Sequence, residues 1–128
     1  MKILIVDDST ENLAVLQAIL ARAGFSTATL SDAAMMFSRV FQEKPDLILC
    51  DVCMPGFDGP MITRMLKRLD TTAQIPILLC SSIDESDLAA RSAACGADGY
   101  VRKTAAPREI VGAIRRALER SSSSRLRI

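Results

Sequence analysis

The chain has 128 residues, 49% of them hydrophobic, and a formal net charge of +1. This length suits one domain with a full core, and the composition is that of a globular protein rather than a disordered one. The small net charge gives no global attraction to nucleic acid or to an acidic membrane. The sequence contains no histidine, which excludes the commonest catalytic base and the commonest zinc ligand.

The sequence gives no indication of export. Its first residues are basic and then apolar, but Asp7 and Asp8 interrupt the apolar run too early for a secretory signal peptide. No apolar run approaches the ~18 residues that a membrane-spanning helix needs. We therefore expect a cytoplasmic protein in which the four cysteines are reduced.

The first half of the chain alternates strand and helix. Residues 2–6, KILIV, form a wholly apolar run that predicts a strand buried on both faces. Residues 10–23 carry leucines at helical spacing, and Gly24 is expected to end this helix. Residues 25–30 are more polar and predict a strand at the edge of the sheet, followed by a helix at 32–43.

The second half continues the alternation. Three more strands are predicted: the largely apolar segments 46–50 and 75–80, and residues 98–103, DGYVRK. Helices are predicted at 59–69 and 84–95, with a last helix beginning near Pro107. In the first of these helices, the predicted buried side is formed by Ile62, Met65, Leu66 and Leu69.

This alternation of strand and helix, repeated five times, predicts an α/β fold. We expect a single doubly wound five-stranded parallel sheet with helices on both faces, formed by residues 1–120. Residues 121–128, SSSSRLRI, are polar and basic, and they predict a polar tail or the start of a linker.

Polar side chains lie at the ends of four predicted strands. Asp7 and Asp8 follow the first strand, and Asp51 follows the third. Ser81 follows the fourth strand, and Lys103 ends the fifth. In an open parallel α/β sheet, ligands bind beyond the carboxyl ends of the strands, near the point where the strand order reverses. If the order is 2-1-3-4-5, strands one and three are neighbours ~4.8 Å apart, and the three aspartates converge.

A cluster of three carboxylates needs a neutralising partner. Two like charges ~5 Å apart repel by about 3 kcal/mol at an effective dielectric constant of ~20. Either one carboxyl group is protonated or a cation binds, and oxygen ligands without histidine point to Mg²⁺. The long side chain of Lys103 could reach an anion attached to Asp51. A carboxylate, a divalent cation, a hydroxyl and a lysine suit phosphoryl transfer onto the aspartate, which gives an acyl phosphate.

Four segments occur in order along the chain: ILIVDDS, PDLILCDVCMPGFDG, IPILLCSS and GADGYVRK. Together they resemble the receiver domain of two-component response regulators of the chemotaxis-regulator type, over about residues 2–120. The resemblance implies a flavodoxin-like (βα)5 fold with strand order 2-1-3-4-5. It also implies a phosphorylation-dependent signalling switch rather than an enzyme, with self-phosphorylation and self-dephosphorylation as its only reactions.

The resemblance implies a role for each acidic residue. Asp51 is the implied phosphoacceptor. Asp8 and Asp51 are the implied direct Mg²⁺ ligands, and Asp7 acts mainly through water. The backbone carbonyl of Cys53 is the implied remaining protein ligand of Mg²⁺.

The resemblance also implies the phosphate-binding side chains. Ser81 would donate a hydrogen bond to a phosphoryl oxygen after transfer, and Lys103 would pair with the phosphate. The orientation of Tyr100 would follow that of Ser81. The family often has a cis-proline after this lysine, but Thr104 stands here, so we expect a trans peptide bond.

The implied phosphoryl donor is a phosphohistidine on a sensor histidine kinase or a phosphotransfer protein. Phosphorylation would move the loop after strand four and the helix at 84–95, in which Leu88 is the main large apolar anchor. The face of helix four, strand five and helix five would then bind a downstream effector, an output domain or a second copy of the chain. We expect no membrane contact and no direct nucleic acid contact from this domain.

Three other interpretations remain open. A pseudo-receiver would not be phosphorylated and would act as a protein-interaction module. The complete set of acidic, hydroxyl and lysine residues argues against it, whereas Thr104, which departs from the family pattern, leaves some room for it. A haloacid-dehalogenase-type phosphatase needs a second aspartate two positions after its nucleophile, where Cys53 stands. Cys50 and Cys53 also have the C-x-x-C spacing of redox motifs, but Cys50 closes a strand instead of opening a helix.

Overall fold

The computed structural model describes residues 1–54 and 57–126, with the backbone alone at 33, 53–54, 57–60 and 122–126. Over these residues the strands are β1 (Lys2–Val6), β2 (Ser26–Leu30), β3 (Leu47–Cys50), β4 (Cys53–Met54), β5 (Phe57–Asp58), β6 (Ile77–Ser81) and β7 (Gly99–Arg102). The helices are α1 (Thr10–Arg22), α2 (Met36–Glu43), α3 (Gly59–Arg68), α4 (Glu85–Cys95) and α5 (Pro107–Leu126). A 3₁₀ turn (Ala33–Met35) leads into α2.

Within the described residues, the main sheet has five parallel strands in the order β2-β1-β3-β6-β7. Because β6 and β7 are the predicted fourth and fifth strands, the predicted order 2-1-3-4-5 is confirmed, and with it the α/β fold class. The polar strand β2 lies at one edge, as its sequence indicated. The pairing of β1 with β3 brings the residues that follow these two strands to the same edge of the sheet.

Hydrophobic layers cover both faces of the sheet. One layer includes Leu16 and Leu20 of α1, packed with residues of α5 against the sheet. The other includes Val40 of α2 and Leu66 of α3. Since both faces are covered, β1, β3 and β6 are continuous apolar runs rather than alternating ones, and this is why the sequence identified them.

Local signals in the sequence begin and end the helices. The hydroxyl of Ser9 accepts a hydrogen bond from the backbone N–H of Asn12 at 3.2 Å and caps α1. Gly24 (φ +93°) comes after α1 and Gly96 (φ +79°) comes after α4, both in the left-handed conformation that glycine adopts without strain. These two helices therefore end within one residue of the predicted positions.

The buried side of α3 differs from the predicted one. Thr63 and Leu66 are fully buried and Ile62 is half-buried, whereas Met65 and Leu69 are 44% and 42% exposed. Successive residues of an α-helix are separated by about 100° around its axis, so Met65 lies well away from the line that faces the sheet. The prediction assigned only apolar residues to the buried side, and it therefore missed the buried threonine.

Two segments are ordered where the sequence predicted a loop and a tail. The loop after Asp51 contains the antiparallel pair of β4 and β5. Helix α5 continues through residues 121–126, the first part of the segment predicted as a tail. The hydroxyl of Ser121 donates a hydrogen bond to the carbonyl of Gln74 at 3.0 Å, which ties this part of α5 to the loop before β6. The domain boundary at residue 120 stays a prediction.

Candidate functional site

The predicted site residues lie at the carboxyl ends of four strands. Asp7 follows β1, Asp51 follows β3, Ser81 is the last residue of β6, and Lys103 follows β7. The sheet ladder holds their backbones: the N–H of Asp51 donates to the carbonyl of Val6 at 2.9 Å. The N–H of Lys103 likewise donates to the carbonyl of Ser81 at 2.9 Å. The edge of the sheet therefore fixes where these side chains start.

The three aspartates come together, as the strand order predicts. Asp7, Asp8 and Asp51 each place a carboxylate oxygen within 4.8 Å of the others. Asp7 and Asp51 are 1% and 4% exposed, whereas Asp8 is exposed. Like charges at this distance repel by about 3 kcal/mol for each pair at an effective dielectric constant of ~20. The cluster therefore needs positive charge beside it.

Lys103 supplies part of this positive charge. Its Nζ lies 2.7 Å from Oδ2 of Asp7 and 3.1 Å from Oδ2 of Asp51. Burial by itself lowers the pKa of Lys103, but its close contacts with the charged carboxylates of Asp7 and Asp51 together outweigh burial and leave this pKa raised. The sequence predicted that Lys103 could reach an anion on Asp51. Its direct contact with two carboxylates was not predicted, because strand spacing does not show where a long, flexible side chain ends.

The donor set of this pocket fits a hard divalent cation. Its side-chain donors are carboxylate oxygens, which Mg²⁺ prefers. Oδ1 of Asp7 accepts a hydrogen bond from the N–H of Ser9 at 2.9 Å. In the described part of the chain, the buried Oδ2 of Asp7 accepts no well-directed hydrogen bond, although it forms the ion pair with Lys103. A buried carboxylate oxygen with spare acceptor capacity, next to Asp8 and Asp51, suits a bound cation.

Ser81 lies at the same edge of the sheet. Because Cys50 pairs with Leu79, Ser81 is level with the second residue after Cys50 on the neighbouring strand. Ser81 is 1% exposed, and its Oγ accepts a hydrogen bond from the N–H of Ile83 at 3.3 Å. The hydroxyl therefore stands at the start of the loop between β6 and α4.

The roles of Cys53 as a Mg²⁺ ligand and of Tyr100 as a switch residue stay predictions. Cys53 belongs to β4, two positions after Asp51, and its side chain lies outside the described residues. Tyr100 lies on β7 and is 36% exposed. It lines a groove of about 870 Å³ together with Arg102 and Arg108, on the side of the domain formed by α4, β7 and α5. The Lys103–Thr104 peptide bond is trans, as expected.

Arg102 is a residue to which the sequence analysis gave no role. Its Nε donates to the carbonyl of Ile83 at 3.2 Å, and its Nη2 lies 3.5 Å from the carbonyl of Ser82. The one signal in the sequence was its position immediately before Lys103. The partners of Arg102 depend on the path of the loop after β6, which the sequence does not show.

The buried thiols do not suit redox chemistry. Burial first, and then the charge of Asp51, raises the pKa of the Cys50 thiol well above its ordinary value. Burial also raises the pKa of Cys80 to about 12. Since a cysteine reacts as its thiolate, both thiols are unreactive at neutral pH. The environment of Cys50 argues against the redox interpretation of the C-x-x-C spacing. The side chain of Cys53, the other cysteine of this spacing, lies outside the described residues.

A doubly wound parallel sheet with an acidic pocket and a lysine at its carboxyl edge defines a flavodoxin-like α/β domain. The family model of the response regulator receiver domain matches residues 3–115. The chain belongs to this family. No helix in the described part of the chain is long and apolar enough to cross a membrane.

Two curated relatives and one solved structure illustrate the similarity. The phosphate regulon transcriptional regulatory protein PhoB of Pseudomonas aeruginosa is 34% identical over 119 residues, which are 93% of this chain and 52% of PhoB. The alkaline phosphatase synthesis transcriptional regulatory protein PhoP of Bacillus subtilis is 35% identical over 120 residues, 94% of this chain and 49% of PhoP. This chain therefore spans about half the length of both relatives. The BeF3-activated N-terminal receiver domain of Klebsiella pneumoniae RstA is 28% identical, with a TM-score of 0.83 over 92% of this chain and 98% of that one.

Proposed function

We propose that this receiver domain is a signalling switch that accepts a phosphoryl group on Asp51, with Mg²⁺ as cofactor. The donor is a phosphohistidine of a sensor histidine kinase or a phosphotransfer protein. One observation carries the proposal: three carboxylates lie within 4.8 Å of one another, and the ammonium group of Lys103 contacts two of them. This pocket combines a nucleophile with the charges that an incoming phosphoryl group requires.

The transfer exchanges one bond to phosphorus for another. A carboxylate oxygen of Asp51 attacks the phosphorus atom and forms a P–O bond, while the P–N bond breaks and its electron pair leaves with the imidazole. A carboxylate nucleophile has no proton to lose, so no general base is required. Lys103 can turn from the carboxylates to the phosphoryl oxygens, and the Ser81 hydroxyl can donate a hydrogen bond to one of them.

Asp8 and Asp51 are the residues that would hold Mg²⁺ directly, with Asp7 acting mainly through water and the carbonyl of Cys53 as a backbone ligand. When bound, the ion neutralises negative charge on the transferring group and on the carboxylates. The acidic donor set and the buried Oδ2 of Asp7 support this assignment.

Phosphorylation by a small phosphodonor is the direct test. Incubation with acetyl phosphate and Mg²⁺ should add the mass of one phosphoryl group to the intact protein in mass spectrometry. Asp51→Asn should abolish this addition, because an amide is not a nucleophile at neutral pH. Glu11→Gln, which removes an exposed acidic group from α1, is the matched control and should be labelled like the wild type. Undiminished labelling of Asp51→Asn would end the assignment.

A non-phosphorylated pseudo-receiver is the alternative, and one observation favours it. Lys103 already pairs with Asp7 and Asp51, and this arrangement could serve structure alone. A calorimetric titration with Mg²⁺ and beryllofluoride separates the two functions. Beryllofluoride is a suitable probe because the related RstA receiver domain is described as BeF3-activated. A switch should bind both compounds, whereas a pseudo-receiver should bind neither.

We further propose that the signal is transmitted by the face of α4, β7 and α5. This face would bind a downstream effector, an output domain or a second copy of the chain. The groove at Tyr100 and Arg108 lies on this face, and Tyr100 would change orientation with Ser81. Residues 1–120 would form the receiver domain, and 121–128 a polar tail or the start of a linker. The same proposal includes a cytoplasmic location and no contact with a membrane or, directly, with nucleic acid. The only reactions of the domain itself would be self-phosphorylation and self-dephosphorylation.

A further inference from the structure

Arg102 connects the last strand to the loop that follows Ser81. Nε of Arg102 donates a hydrogen bond to the carbonyl of Ile83 at 3.2 Å, and Nη2 approaches the carbonyl of Ser82 at 3.5 Å. The guanidinium group thus faces two successive carbonyl groups of the β6–α4 loop, residues 82–84. A planar group with several donors suits such a pair of acceptors.

This loop is coupled to the Ser81 hydroxyl through Ile83. The N–H of Ile83 donates to Oγ of Ser81 at 3.3 Å, and the carbonyl of Ile83 accepts from Arg102. Ile83 therefore has the hydroxyl at its amino side and the guanidinium at its carbonyl side. Lys103, the next residue after Arg102, holds the backbone of Ser81 through a hydrogen bond of 2.9 Å from its N–H.

We propose that Arg102 is a positioning residue that retains the β6–α4 loop, and through Ile83 the hydroxyl of Ser81, in the arrangement described above. The N–H of Ile83 occupies only an acceptor site of the Ser81 hydroxyl, which keeps its hydrogen to donate to a phosphoryl oxygen. Phosphorylation of Asp51 is expected to move the loop after β6, and this movement would break the contacts of Arg102. Hydrogen bonds made by Arg102 stabilise the starting arrangement, so they oppose this change. The inference rests on the proposed phosphoacceptor function of Asp51.

Arg102 could act on the pocket as a nearby positive charge or as a group that retains the loop. These two roles predict opposite effects of its removal on anion binding. Loss of a cation near an anion-binding pocket should weaken anion binding. Loss of a group that retains the loop should strengthen it, because less free energy is then needed to turn Ser81 towards the anion. The side chain of Arg102 is only half-buried, so its charge is screened by solvent and the positioning effect is the larger one.

Binding of beryllofluoride in the presence of Mg²⁺, measured by calorimetry, tests this inference. Arg102→Ala should bind about fivefold more tightly than the wild type, as expected from the loss of roughly one hydrogen bond. Arg102→Lys retains the charge and one donor group, and its affinity should lie between the two. Arg22→Ala is the matched control, because it removes an exposed arginine from the last turn of α1, an element that belongs to neither the β6–α4 loop nor the proposed output face. It should bind no more tightly than the wild type.

A double-mutant cycle with Ser81→Ala separates positioning from a general effect on structure. If Arg102 acts through the Ser81 hydroxyl, the gain from Arg102→Ala should disappear in the Ser81→Ala background. Equal or weaker binding by Arg102→Ala, or a gain that persists without the hydroxyl, would overturn the inference. If thermal unfolding shows that Arg102→Ala does not fold, the same binding measurements are made with Arg102→Lys, which should also bind beryllofluoride more tightly than the wild type. Failure of the wild type to bind beryllofluoride would instead contradict the phosphoacceptor function itself.

Discussion

The two flanks of the acidic pocket are stabilised in different ways. On the first flank, Asp7 and Asp51 follow β1 and β3, and the adjoining helix α1 buries three leucines. On the second flank, the β6–α4 loop leads into α4, which buries Leu88, Ser92 and Cys95. Large apolar side chains each contribute about 1.5–3 kcal/mol on burial, whereas a hydrogen bond contributes about 1 kcal/mol. The comparison indicates a firm α1 flank and an α4 flank that can rearrange at a smaller cost in free energy.

Truncation of one leucine on each flank should give the largest effects. Leu20→Ala should lower the free energy of unfolding by about 3–4 kcal/mol, because its large apolar neighbours cannot collapse into the cavity. Leu88→Ala should lower it by about 2 kcal/mol, since Leu88 belongs to a smaller buried cluster than Leu20 and α4 can shift into the space. Urea unfolding followed by circular dichroism measures both values. Val15→Ala, at a position that is 59% exposed, is the control and should change stability by less than about 0.5 kcal/mol. Equal losses at Leu20 and Leu88 would break the comparison.

Lys103 joins the two flanks, and its removal should have the next largest effect. Without Mg²⁺, Lys103→Met should lower the free energy of unfolding by about 2 kcal/mol, because two buried carboxylates lose their cation. Its raised pKa means that the contribution is fully present below the ordinary pKa of lysine and is lost as the pH rises through the higher folded value. Saturating Mg²⁺ should restore part of the stability of the variant. The variant should also bind Mg²⁺ more tightly than the wild type does, because the ammonium group no longer competes for the carboxylates.

The control for this prediction is Arg91→Met, which removes an exposed cation from α4 and should leave stability and Mg²⁺ affinity nearly unchanged. Thermal unfolding with and without Mg²⁺ measures all three proteins. A variant Lys103→Met that is as stable as the wild type at every Mg²⁺ concentration would show that the contact between lysine and carboxylates does not link the flanks.

Thiol alkylation should give the smallest effect and tests local opening directly. Cys50 lies in β3 on the first flank, and Cys95 lies at the end of α4 on the second. If α4 opens locally, Cys95 should react with iodoacetamide at least about tenfold faster than Cys50, which needs more extensive unfolding. The raised pKa of Cys50 slows its reaction further, because less thiolate is present below that pKa. Peptide mapping at pH 8 measures the alkylation rates of both cysteines, and alkylation in urea is the control. Equal rates in the folded protein would contradict a difference between the flanks.

Much of the fold could be predicted from local pattern. The buried strands were recognisable because a parallel sheet covered on both faces needs continuous apolar segments. The end of α1 followed from Gly24, whose left-handed conformation suits glycine. The structure shows Gly96 in the same role after α4. The buried face of α3 was not predictable in this way, because Thr63 is polar yet lies on the line that faces the core.

The sequence by itself determined which strands carry the acidic residues, Ser81 and Lys103 at their carboxyl ends, because the strands and their succession along the chain can be recognised from local residue patterns. Only the tertiary structure decided that the Lys103 ammonium rests against Asp7 as well as Asp51, and that Arg102 holds the carbonyls of the β6–α4 loop. The physical reason is the length of these two cationic side chains. Their charged ends can reach partners several ångströms away, so the packing around them, and not their position in the chain, selects the partner.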